Sequence, residues 1–131
     1  MSGTITAVKG FNTILIEFMK NLEDTFTEDK DFKTYRLALV ELIKYNTIQP
    51  SKMFKKFVSE KAEIRQRILE KDASFFTEQA DYNEVKHVVG ADGFEDTITK
   101  LKSYWSSLSE PGKAKVFKYL EALIKVSDSI N

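Results

Sequence analysis

Glu84-Val85-Lys86-His87 sets a carboxylate and an imidazole three residues apart. That spacing brings both onto one face of a helix and recurs in bundles that hold two metal ions between glutamates and histidines. Such a centre takes two of these pairs and further glutamates. His87 is the only histidine of the 131 residues and there is no cysteine. Zinc sites built on thiolates or on several imidazoles, disulfides and cysteine nucleophiles are therefore excluded, and histidine-assisted catalysis would have to use His87 itself. His87 is expected to be a surface or half-buried side chain, with no metal and no cofactor at the site. Gly90-Ala91-Asp92-Gly93 opens a helix and offers backbone N–H groups of the kind that hold phosphate, yet it lacks the Lys-Ser/Thr of a P-loop and the spacing of a dinucleotide fingerprint. As a calcium loop with Gly93 at the sixth position it would need acids where Val88 and Thr99 stand, so it is expected to be a turn and helix cap.

Three further groups have the composition of a contact or ligand site. Glu28, Asp29 and Asp31, with Glu23 and Asp24 nearby, form an acidic cluster that suits a divalent cation or a basic partner. Capping of a helix start accounts for the same residues, and the two readings stand side by side. Residues 52–71 are net basic, with Lys52, Lys55, Lys56, Lys61, Arg65, Arg67 and Lys71 against Glu60, Glu63 and Glu70. A row of lysines there is suited to following a phosphate backbone, although Phe54 and Phe57 sit at core spacing and the chain's pI of about 6.6 is not that of a basic nucleic-acid binder. Phe75 and Phe76 are adjacent and project about 100° apart on a helix, so either one is left outside the core or both are buried beneath the irregular segment. With Trp105 they are the expected anchors for a protein partner, and Lys52, Lys55 and Lys56 the charged rim.

The elements that must position these groups are helices. Phe11, Ile14, Leu15, Phe18, Met19, Leu22 and Phe26 recur at i, i+3, i+4, i+7 spacing, which predicts a first helix over 9–26. Phe32, Tyr35, Leu39, Leu42 and Ile43 resume the period after the acidic break and carry a second helix to about Tyr45. Pro50 pushes its predecessor out of the α region and fits a first helical turn itself. One helix or a pair follows, marked by Met53, Phe54, Phe57, Val58, Ile64, Ile68 and Leu69. Residues 72–93 read as short helical turns and loop. Asp92-Gly93-Phe94-Glu95 has capping-box spacing ahead of Phe94, Ile98, Leu101, Trp105 and Leu108. Ser109-Glu110-Pro111 opens the last helix, with Val116, Leu120, Leu123, Ile124 and Ser127 on one face.

Two prolines and five glycines leave little for tight β-turns, and 42% hydrophobic with 31% charged residues is globular. The expectation is an all-α, single-domain, irregular bundle of four to six helices spanning 9–128, with 1–8 flexible and 129–131 frayed. Twenty basic residues balance twenty acidic ones, so no global field draws the chain to nucleic acid or an anionic membrane. No stretch has the roughly 18 apolar residues of a membrane span, and the N-terminus has neither a signal peptide's pattern nor a glycine at position 2 for myristoylation. An intracellular setting is expected.

Taken together, several segments resemble a group of small uncharacterised helical proteins of nucleocytoplasmic large DNA viruses, the giant-virus lineages of algae and amoebae. The segments are Phe11-Asn12 with Leu15, Phe18 and Leu22, the acid-rich turn before Phe32 and Tyr35, Asn46 ahead of Pro50 and Phe54, Lys71-Asp72-Ala73-Ser74-Phe75-Phe76, and Trp105 before a final apolar helix. The resemblance implies a virion component or a protein of the infected host cytoplasm, with no catalytic motif to carry over.

A well-patterned core with no convergent polar set points to a non-enzymatic protein-interaction or structural protein, its partner another protein or a second copy of itself. The alternative is a nucleic-acid-associated protein using the 52–71 face.

Overall fold

The computed structural model describes residues 2–60, 62–77 and 94–130. They form an all-α bundle: α1 (Ser2–Thr25), α2 (Asp31–Tyr45), α3 (Gln49–Glu60), α4 (Ala62–Leu69), the single turn α5 (Ser74–Thr77), α6 (Phe94–Tyr104), a 3-10 turn (Trp105–Ser107) and α7 (Glu110–Asp128). No strand occurs among the described residues.

The stripe on α1 is the spine. Val8, Phe11, Leu15, Phe18, Met19 and Leu22 are all buried, one residue per turn or two, as an amphipathic helix requires. Two helices run antiparallel to it. On α2, Arg36 meets Glu23, and the Thr47 carbonyl just beyond its end accepts from Asn12 Nδ2 at 3.0 Å. On α7, Tyr119 stacks against Phe18 with ring centres 5.2 Å apart. The shorter helices close the remaining sides, α3 touching α1, α2 and α7, and α4 lying on α3 and α7.

Local chemistry sets the joints. At the start of α7, Ser109 is extended (φ −68°, ψ 163°) and its Oγ accepts from the Gly112 N–H at 3.1 Å, with Pro111 in the first turn where no N–H is needed. At the end of α4, Lys71 adopts a left-handed conformation (φ 56°). Its N–H bonds back to the Ile68 carbonyl, and that of Asp72 to the Arg67 carbonyl, the paired bonds that close a helix C-terminus. Glycine is the usual occupant; the lysine costs about 1 kcal/mol in backbone strain. Asp72 then turns the chain again, its Oδ1 accepting from both the N–H (3.0 Å) and the Oγ (2.6 Å) of Ser74. These two turns throw α5 across the bundle.

Two boundaries differ from the periodicity reading. Residues 2–8, expected to be flexible, continue α1 to Ser2, with Val8 buried at 4% exposure. At the other end, expected to fray, Ile130 is buried and its carbonyl accepts from Lys55 Nζ. Apolar burial extends order past the last periodic residue in both cases.

Candidate functional site

Phe75, Phe76 and Trp105 are not surface anchors. They are exposed by 4%, 1% and 3%. Phe76 lies nearly parallel to Trp105, with centres 4.2 Å apart and planes 10° apart, and edge-on to Phe117 at 5.5 Å. Phe75 packs edge-on to Phe76 at 4.9 Å and takes the Lys102 ammonium over its face at 4.7 Å. Both neighbours are covered because α5 is wedged between α4, α6 and the 3-10 turn, so the 100° between them opens onto protein on both sides.

Three cations of the basic stretch, Lys55, Arg65 and Arg67, are engaged by the molecule itself. Lys55, expected at an exposed rim, is half-buried and ties α3 to the chain past α7. Arg65 grips Asp128 through both guanidinium arms, at 2.7 and 2.6 Å. That pairing holds the Asp128 carboxyl below its ordinary value and raises the Arg65 guanidinium, and it places cations at the negative end of the α7 dipole. Arg67 reaches Asp72 and Ser74. Lys52 and Lys56 are exposed, as expected of a rim.

The acidic turn is occupied by protein cations. Asp29 Oδ2 accepts from Lys100 Nζ at 2.7 Å and from Tyr104 Oη at 2.6 Å, while its Oδ1 accepts from the Asp31 N–H at 2.9 Å. Asp31 shares the Lys100 ammonium at 2.7 Å. The bond from Lys100, then those from Tyr104 and the Asp31 backbone, hold the Asp29 carboxyl at about 2, and the same contacts raise Lys100 and Tyr104. Phe26 stacks on Tyr104 at 4.6 Å and on Phe32 at 5.4 Å. Asp29 holds the first N–H of α2 from the position before Lys30, the residue at the helix cap, while Lys100 and Tyr104 occupy its other oxygen. Among the described residues no three acids or histidines gather where a metal ion could be held. Glu84, His87 and Gly90 to Gly93 lie outside the described residues.

A cleft of about 550 Å³ opens between the end of α1 and the start of α7, floored by Leu22, Phe26, Leu108 and Val116 and edged by Asn21, Thr25, Ser109 and Lys115. Lys115 is its one titratable lining residue, so it presents no acid–base pair.

The outer face of α2 is the surface that stands apart. Phe32 and Leu39 are fully buried on its inner side, whereas Leu37 (48% exposed) and Tyr45 (87%) project outward, with Ile48 (45%) just beyond the helix. Among the aromatic residues whose exposure is described, Tyr45 alone is exposed. The sequence carried this signal: Leu37 lies about 160° around the helix from Leu39, a large apolar residue off the Phe32–Tyr35–Leu39 stripe. Comparison with known proteins finds no matching family model, curated protein or solved structure. No described helix is long and apolar enough to cross a membrane.

Proposed function

We propose that this protein is a non-enzymatic protein-interaction or structural domain whose contact surface is the outer face of α2. The observation that carries the reading is Tyr45, left in water with Leu37 and Ile48 while every other aromatic of described exposure is buried or half-buried. Tyrosine combines a large apolar ring with a polar tip and is enriched among the residues that dominate binding energy. The described ionic clusters point the same way, because Asp29, Asp31 and Lys100 pair with one another and the cleft holds no acid beside its lysine. On the resemblance to large-DNA-virus proteins, the setting is a virion or the infected host cytoplasm.

A photo-crosslinking phenylalanine analogue placed at Tyr45 tests this. Illumination in the native cell or virion is expected to give a discrete adduct to a protein, lost when Leu37 is changed to Asp in the same chain. The same label at exposed Lys118 on α7 serves as control. Equal, diffuse labelling from both positions overturns the assignment.

A further inference from the structure

The occupant of this face is legible in its own charge order. Thr34, Leu37, Ala38, Glu41, Lys44 and Tyr45 are all exposed on α2. Lys33 stands four residues before Leu37 and Glu41 four residues after it. Positions four apart form the ridges along which helices most often interlock. An isologous contact brings whatever lies before its two-fold axis against whatever lies the same distance after it. Self-pairing is favoured where those two groups attract, as Lys33 and Glu41 do.

We infer that the outer face of α2 binds a second copy of this chain, the two α2 helices packing antiparallel about a two-fold axis at Leu37. Each Lys33 then faces Glu41 of the second copy. The small side chains of Thr34 and Ala38 border the groove beside the ridge and admit Leu37 of the second copy between them. Tyr45, two turns farther on, comes level with the α1–α2 turn of the second copy, opposite Asp29 and beside Lys30. Lys33 makes no ion pair among the described residues, and Glu41 has only the exposed 3.3 Å contact to Lys44, so pairing breaks nothing of value. With zero formal net charge no long-range repulsion opposes association. The cost of this register is Lys30 against Lys44, seven positions either side of the axis, which meet at the rim where salt screens them.

The inference rests on the proposed contact surface, and the experiment separates the two. Purified full-length protein is run by light scattering and sedimentation equilibrium over a concentration series up to about 1 mM. The mass is expected to rise from 15.1 kDa toward twice that value. Leu37→Asp raises the dissociation constant roughly a hundredfold. Lys33→Glu and Glu41→Lys each raise it about fivefold, and the two together return it to near the starting value, because both symmetric pairs are re-formed with signs exchanged. The three positions changed are exposed, and helix content by circular dichroism confirms that each variant is folded. A 15.1 kDa species at every concentration overturns the inference, as does a dimer indifferent to Leu37→Asp and to both single reversals. A monomer whose position 45 still crosslinks another protein refutes only self-pairing; a monomer with no adduct refutes the contact surface too.

Discussion

Beside the last turn of α1, Asp29 holds Lys100 and Tyr104; at the last turn of α7, the opposite end of the bundle, Asp128 holds Arg65. Both join segments more than sixty residues apart, and both are short, charge-assisted contacts. Their surroundings differ. The Asp29 side chain is 11% exposed, whereas Asp128 and Arg65 are 47% and 41% exposed. Water and salt compete for the second clamp and hardly reach the first, so similar geometry is expected to translate into unequal stabilisation.

The widest separation between the clamps comes from deleting one acid. Asp29→Ala leaves the partly buried Lys100 ammonium with only the more exposed Asp31, and a loss of about 2–3 kcal/mol is expected in urea unfolding. Acid sharpens the contrast next. The Asp29 carboxyl is held at about 2 against an ordinary 3.8, so its stabilisation is complete above the unfolded value and is lost as pH falls through 3.8 toward 2. That gap corresponds to about 2 kcal/mol. The stability difference between the protein and its Asp29→Asn variant should close across this window; a difference unchanged at pH 2 would place its origin elsewhere. The smallest effect belongs to the open clamp. Arg65→Ala is expected to cost under about 1 kcal/mol, and less in high salt. A cost equal to that of Asp29→Ala would break the comparison, since exposure would then not govern the worth of either pair.

These clamps also mark where sequence reading stops. Helix identity was legible wherever an apolar stripe repeated: Phe11, Leu15, Phe18, Met19 and Leu22 on α1, and Val116, Leu120, Leu123 and Ile124 on α7, are all buried as their period requires. Period is a local property, and it carries no information on partners far along the chain. Asp29 was readable as a capping residue because its bond to the Asp31 N–H spans two positions; its bond to Lys100 spans 71. Phe75 and Phe76 misled for the same reason. Adjacent rings diverge on an isolated helix, and here Trp105 and Phe117 arrive from elsewhere against Phe76 while Arg67 and Lys102 lie over Phe75. Leu37 is legible on the same helical wheel that identifies α2, about 160° from Leu39, whereas Tyr45 lies about 60° from Leu42 at the flank of the stripe and its exposure is set by the end of the helix.

Trp105 is the single tryptophan of the chain, and its place against Phe76 and Phe117 gives the molecule an internal optical probe. Its emission should be blue-shifted, and the fixed, nearly parallel ring pair should add a signed band in the near ultraviolet. Lifting α5 away from the 3-10 turn would admit water to the indole and redden that emission while the far-ultraviolet helix signal stayed almost constant. Loosening of this corner is therefore separable from global unfolding without attaching any label.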